Sequence, residues 1–288
     1  MKQAKRKKLK KTHAPTLWIG LFMMGLLVVL AVLAPVICPY DPLEQNLAEF
    51  LQAPGVKHFF GTDQLGRDLF TRTLYAARTD LWIMVMAEIA PFIIGIFLGM
   101  AAGYFGGAID WLVGMASDTF IAFPFYLLVI VIAFASGAGS HGIFITYLLV
   151  GWLIYCKVAR GQSAALKNSE WIAAAKILGY SDIRILFCEL LPNIIPQAIV
   201  LLMTDMVGLL VIIVTLGYLG IGISPPTPDW GTMISEGQTF MTSAWWLSVL
   251  PGMFVALIYR RWACRSFSLR KRKDVRILWK SRLIQLKQ

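Results

Sequence analysis

The stretch Ser169–Asn193 reads SEWIAAAKILGYSDIRILFCELLPN. It carries Glu170, Lys176, Asp182, Arg184 and Glu189 between two runs apolar enough to cross a bilayer, so it lies outside the membrane that its flanks enter. Ser169 stands where an N-cap stands, with a hydroxyl able to accept a free first-turn N–H. The Ala173–Ala174–Ala175–Lys176 run that follows has high helix propensity. Gly179 can end that helix in the left-handed conformation that other residues resist. Ser181 or Asp182 can then cap a second helix running to Pro192. The spacing predicts a short helix, a turn and a second helix, with a small-residue face from Ala173 to Ala175 that a partner can approach closely. On physics alone, a docking element and an ordinary surface loop fit this stretch equally.

Outward from it, the composition is that of a membrane protein. The 288 residues are 58% hydrophobic and only 15% charged, where soluble domains carry about 25% charged residues. The apolar residues fall into six candidate spans: 17–38, 81–103, 117–136, 142–158, 195–218 and 245–259. A helix needs about 20 residues to cross a ~30 Å hydrocarbon layer. The expected fold class is therefore all-α and integral to the membrane, with six transmembrane helices. The last span, WWLSVLPGMFVALIY, reaches only about 22 Å before Arg260 and Arg261. The first, Leu17–Cys38, is too long for the apolar part of a cleaved signal peptide and has no small-residue cleavage site after it.

Charge sets the orientation. With the N-terminus inside, 23 of the 27 lysines and arginines fall on the inner side; Lys57, Arg67, Arg72 and Arg78 alone fall outside. Both termini and residues 159–194 are then cytoplasmic, and 39–80 and 219–244 are extracytoplasmic. In the second outer segment, SPPTPDWG (224–231) has three prolines and a glycine that forbid a helix. The net charge of +11 resides at the chain ends and between spans. That placement suits an anionic lipid surface and argues against a nucleic-acid partner.

The chain carries no phosphate-cradling glycine loop ending in Gly-Lys-Ser/Thr, so no ATP site of its own is expected. His13, His58 and His141 form no metal-catalytic pair. Cys38, Cys156, Cys188 and Cys264 have neither metal nor redox spacing and read as small apolar fillers. Glu88, Asp118 and Asp205 stand on three different spans, which is no arrangement for an intramembrane hydrolase. Catalytic residues and a resident metal are therefore not expected. Asp205 is mid-span, with Gly208 three residues on to admit a neighbouring helix. It faces either a translocation path or a helix–helix hydrogen bond. Glu88 reaches the outer vestibule or snorkels outward. Asp118 serves the cytoplasmic interface.

These residues resemble a known family. In SEWIAAAKILGYSDIRILFCELLPN, Ala174, Ala175, Gly179, Leu191 and Pro192 match the cytoplasmic "EAA" loop of ABC-importer permeases. The glutamate of that pattern falls on Ala173, with Glu170 one turn earlier. HFFGTDQLGRDLFTR (His58–Arg72), with Gly61, Thr62, Asp63, Gly66, Arg67 and Asp68, is similar to the outer segment of dipeptide, oligopeptide and nickel permeases. GYFGGAIDW, DTFIAFP and LGIGISPPTPDWG are similar to the same class, and the chain looks most like the second permease of the pair.

The resemblance implies a type I ABC-importer permease fold. Its parts are a basic cytoplasmic tail (1–16), a first helix (17–38), an extracytoplasmic segment (39–76), a permease domain (77–259) with coupling loop 159–194, and an atypical basic tail (260–288). It implies that Glu170, Ala173, Ala174, Ala175, Gly179, Ser181 and Asp182 couple to an ATPase, and that Asp205 and Glu88 are candidates for the path. The implied partners are a related second permease, two ATP-binding subunits that hold the ATP, and an extracytoplasmic substrate-binding protein, in the bacterial cytoplasmic membrane. The implied cargo is a di- or oligopeptide, with nickel or a metal chelate as the rival. An ion-gradient-driven secondary transporter is the rival from another class, and would show inverted repeats. After about Leu257 the likeness ends. A short span with an interfacial basic helix and an altered reading frame that damages the subunit both remain open there.

Overall fold

A computed structural model describes residues 28–257 of the protein. Its organising contact joins two helices, α2 (Leu69–Phe105) and α6 (Trp152–Leu166). Gly95, Gly99 and Gly103 recur every fourth residue and so share one face of α2. A Cβ on any of them would collide with the carbonyl oxygen of Trp152, Cys156 or Arg160 respectively, residues themselves four apart on α6. The two backbones therefore touch over successive turns. In lipid, where burial of apolar side chains gives little drive, such close small-residue packing holds helices together. The Ser163 hydroxyl adds a bond to the Met100 carbonyl at 2.9 Å.

The other elements surround this pair. Helix α1 (Val28–Ile37) buries Ala31 and Ala34. Helices α3 (Gly107–Ile121) and α4 (Phe125–Ala135) meet at 91°. The single straight span expected over 117–136 is thus broken, because Pro124 cannot continue a helix and biases Phe123 away from helical geometry. Helix α5 (Ser140–Val150) runs on into α6 as one rod, Ser140–Leu166. Helix α7 (Glu170–Ile177) follows, then α8 (Asp182–Arg184), a π turn (Ile185–Leu190) and α9 (Leu191–Tyr218).

The second helix of the opening stretch does not stop at Pro192. It continues to Tyr218 as one 37-residue helix. In the π turn the Leu191 N–H bonds to the Leu186 carbonyl, and the Asn193 side-chain amide serves the Glu189 carbonyl at 2.7 Å. This slack lets the chain pass Pro192 without ending the helix, which also contains Pro196.

Helix α10 (Trp230–Gln238) and helix α11 (Trp246–Leu257) complete the described chain. The expected absence of helix in SPPTPDWG holds as far as Asp229 and fails at Trp230, where Asp229 caps α10 by accepting from Gly231 and Thr232 N–H.

Among the described residues, three helices are long and apolar enough to cross a membrane: Leu69–Phe105, Ser140–Leu166 and Asp182–Tyr218. Counting α3 and α4 as one bent span gives four, with α1 and α11 as shorter apolar helices. Residues 17–27 of the first expected span, residues 258 and 259 of the last, and both basic tails lie outside the described residues.

The loops segregate to opposite ends. Helix α7 packs Ile172 and Ala175 with Met100, Tyr104, Ala159, Ile185, Leu190 and Ile194 at one end. Segments 39–68 and 219–245 share the other, where Trp230 is wholly buried and its indole N–H reaches the Thr73 carbonyl at 3.1 Å. The 37 residues of α2 span about 55 Å against a hydrocarbon layer of ~30 Å. Since its apolar run covers 81–103, the part from Leu69 to Asp80 projects at the α10 end.

Candidate functional site

At the α7 end, the chain turns where the sequence predicts. Gly179 has φ +78°, and the N–H groups of Gly179 and Tyr180 bond to the carbonyls of Lys176 and Ala175. This is the glycine-terminated helix end in which left-handed geometry costs least. Ser181 caps the next helix, accepting from the Arg184 N–H at 3.4 Å. Ser169 does not cap α7 with its side chain: its hydroxyl donates instead to the Leu166 carbonyl at 2.6 Å, closing the preceding helix end. The expected alanine face is also divided. Ala173 and Ala174 are exposed, whereas Ala175 is buried beneath α7, since consecutive helical residues lie about 100° apart.

Glu170 is exposed in the first turn of α7. The exposed apolar tip is formed by Ile177 (86%), Leu178 (71%) and Ile183 (69%), which flank Gly179. The loop is seated by Tyr104 at the end of α2. The Tyr104 hydroxyl donates to Asp182 at 2.6 Å, and the Lys176 ammonium lies 5.1 Å from its ring centre. The Asp182 carboxylate thus anchors the loop to α2. Nearby, Arg160 grips Asp110 with two bonds, at 2.5 and 2.8 Å, joining α6 to α3.

Midway along the bundle, the structure brings together Glu88 and Asp205. Glu88, on α2, is 1% exposed and neither snorkels nor opens outward. Its Oε1 meets the hydroxyl of Tyr155 on α6, and the same hydroxyl lies 3.1 Å from Asp205 Oδ2 on α9. Asp205 thus makes a helix–helix hydrogen bond. A Cβ added at Gly208 would meet nothing of the described chain within 4 Å, so no neighbouring helix of this chain packs against that point. Asp118 is exposed on α3, apart from both acids.

At the α10 end, the residues of the Gly-Thr-Asp stretch build a buried polar lattice. Asp63 accepts from the backbone N–H of Leu65 and Arg67 and from Arg67 Nε at 2.6 Å, with Arg72 Nη1 at 3.2 Å. Glu236 of α10 faces the same guanidiniums, at 3.5 Å from Arg67 and 4.0 Å from Arg72, and accepts from Gln64 at 3.0 Å. Asp68 caps α2 through the Thr71 N–H at 2.8 Å and also holds His58 Nδ1 at 2.8 Å. His58 Nε2 lies 3.1 Å from Glu49, whose carboxyl the adjacent Lys57 ammonium holds below the usual carboxylate range. Thr62 is wholly buried and bonds the Glu49 carbonyl. Gly61 and Gly66 have φ +78° and +70° and press against the backbone of Gln52 and Asn46, so both must be glycine. Burial pushes the Asp229 carboxyl up, against the opposing pull of the Thr232 and Gly231 N–H groups.

Tyr104, Tyr155, Glu236 and the glycine strip of α2 are parts of these sites that the sequence reading did not single out. The strip had a signal, its four-residue spacing. The tyrosines had none.

Two families match the chain. One is described as "Binding-protein-dependent transport system inner membrane component" and matches residues 95–267, which extends past Leu257. The other, "N-terminal TM domain of oligopeptide transport permease C", matches residues 13–54. Among similar proteins, the dipeptide transport system permease protein DppC of Bacillus subtilis (strain 168) is 36% identical over 239 residues, which cover 83% of this chain and 75% of that one. The oligopeptide transport system permease protein OppC of the same organism is 33% identical over 239 residues, 83% and 78% of the two chains. The di/tripeptide transport system permease protein DppC of Pseudomonas aeruginosa (strain UCBPP-PA14) is 33% identical over 245 residues, 83% and 80%.

Proposed function

The chain belongs to the family of binding-protein-dependent transport system inner membrane components, and from that premise we propose that it is one permease subunit of an ATP-driven importer of di- and oligopeptides. The relatives are permease components of peptide transport systems by name, which supports peptide as the cargo. Under this reading the chain sits in the bacterial cytoplasmic membrane with both termini and α7 on the cytoplasmic side. A second, related permease supplies the other half of the pore. Two ATP-binding subunits dock below and hold the ATP, and an extracytoplasmic binding protein delivers peptide to the α10 end.

One observation carries the reading: the loop with the exposed apolar tip is not a free appendage. Ile177, Leu178 and Ile183 face away from the chain, as a surface that docks on a partner does. The same loop is tied to α2 through Tyr104 and Asp182, and it continues without interruption into α9. A push on the tip by a closing ATPase pair therefore reaches both helices that hold the intramembrane acids. This chain performs no chemistry on its cargo. It converts a partner's closure into a change of which side the pore faces.

ATP-dependent uptake of a labelled dipeptide tests the reading, in membrane vesicles from cells with and without this chain. Uptake that requires the chain supports it. Equal uptake in both, or uptake driven by an ion gradient without ATP, overturns it.

A further inference from the structure

Two carboxyl groups meet one phenol in the middle of the bundle, and the protons do not balance if both carboxyls are ionised. The Tyr155 hydroxyl has one proton and can donate to one acceptor at a time. It contacts Glu88 Oε1 and lies 3.1 Å from Asp205 Oδ2. The second contact is a hydrogen bond only if a carboxyl donates back to the phenol oxygen. That requires one carboxylic-acid proton between the two acids. Among the described residues no lysine, arginine or histidine pairs with either acid to offset a double negative charge. Glu88 Oε2 is buried with no partner. Tyr147, from α5, is a further buried titratable side chain in the same part of the bundle.

The three groups sit on three helices, and α9 is the mobile candidate among them. Helices α2 and α6 are locked backbone to backbone by the glycine strip. The helix that contains α9 is tied to α2 at its loop end by Tyr104 and Asp182. Within α9 (Leu191–Tyr218), among the described residues, the Asp205 contact with Tyr155 is the side-chain hydrogen bond that joins it to that pair, while Asn193, Thr204 and Thr215 bond within the continuous helix and Tyr218 bonds to α10. Resting on the function proposed above, we propose that Tyr155 is a positioning residue of the transport cycle. With one proton shared between Glu88 and Asp205, it latches α9 to the α2–α6 pair, and loss of that proton frees α9 to shift. On release, the carboxylic-acid proton leaves through Asp205, the more exposed of the two acids, to water. Tyr155 keeps its own proton and one of its two partners.

Infrared spectroscopy of the purified transporter at neutral pH tests the shared proton without reference to transport. The wild type should show a carboxylic-acid carbonyl band that shifts in heavy water and disappears in the Glu88→Gln/Asp205→Asn double variant. A wild type without the band, or a double variant that retains it, overturns the latch. Peptide uptake then tests its role. Tyr155→Phe should lower uptake roughly tenfold while ATP hydrolysis persists, the effect of losing a hydrogen bond to a charged group. The double variant, whose amides donate to the phenol without a titrating proton, should lose the wild type's dependence of uptake on pH. Full coupled uptake by Tyr155→Phe, or an unchanged pH profile in the double variant, overturns the latch. A wild-type complex that hydrolyses ATP but imports no peptide overturns the function reading instead, and leaves the infrared result to stand on its own.

Discussion

The hydroxyl of Tyr104, in the last turn of α2, donates to the carboxylate of Asp182 across 78 positions of sequence at 2.6 Å. This bond fixes where the loop bearing α7 sits beneath the bundle. It also explains why Lys176 lies over the same ring: the aromatic face attracts the ammonium while the hydroxyl engages the acid. Tyr104→Phe keeps the ring and removes the donor. It should cost about 0.5–1.5 kcal/mol of loop anchoring, read as faster amide hydrogen exchange across residues 170–186. Exchange unchanged there would mean the bond does not seat the loop.

The glycine strip predicts an intolerance confined to one face of α2. Gly99→Leu places a side chain against the Cys156 backbone, which cannot yield without parting α2 from α6. The expected loss is about 3 kcal/mol or more, seen as failure of the chain to resist detergent or heat. Gly208→Ala is the contrasting substitution. Its site is open, and alanine is the better helix former by roughly 0.5–1 kcal/mol. The chain should fold as before. Equal tolerance at both positions would contradict backbone contact between the two helices.

Asp63 holds two buried guanidiniums, so its loss is not symmetric with the loss of Glu236. Asp63→Ala leaves Arg67 and Arg72 buried with only a partly exposed partner and should destabilise by about 3–5 kcal/mol. Glu236, a third exposed, is screened by solvent, and Glu236→Ala should cost at most about 1 kcal/mol. Thermal denaturation of the two variants separates them. A larger loss for Glu236→Ala would invert the reading of this lattice.

Sidedness follows from the basic residues and from the way the loops segregate. A reporter fused after Lys167 should read as cytoplasmic and one after Pro228 as extracytoplasmic. Because α7 and α10 lie at opposite ends of the bundle, both reporters on one side would contradict the fold as well as the charge rule.

What the sequence made legible was local. Apolar runs, the Ser181 cap and the Gly179 turn depend on residues within a few positions of one another. The break at Pro124 was in view, but it lies between two apolar runs that hydropathy averages into one. Pro192 misled in the opposite sense, because a π turn and the Asn193 amide carried the helix past it. The Glu88–Tyr155–Asp205 cluster depends on the register of α6 against α2 and on the rotation of α9. Neither is encoded near any of the three residues. The spacing of Gly95, Gly99 and Gly103 marks a contact face on α2 but does not name α6 as its partner. Likewise, the Gly-Thr-Asp stretch was visible as a motif, whereas Glu236, its counter-charge, lies 164 to 173 positions further along, with nothing local to connect them.

Gly179 gives the cleanest test of the loop's role. Its φ of +78° is in the region that side chains resist, yet an added Cβ would meet nothing within 4 Å. Any penalty there is conformational and not a collision. Gly179→Asn should be tolerated, since asparagine enters the left-handed region most readily after glycine. Gly179→Val should cost roughly 1–2 kcal/mol and more for its branched Cβ, and can relieve that strain only by re-aiming Leu178 and Ile183 on either side. The core that seats α7 contains neither of those two residues, so insertion and folding of the valine variant should match wild type. Peptide uptake should nevertheless fall sharply, because the exposed tip no longer presents its surface to the partner. If Gly179→Val inserts and imports peptide as well as the asparagine variant does, the geometry of this tip is irrelevant to transport, and the assignment of residues 170–183 as the docking element is wrong.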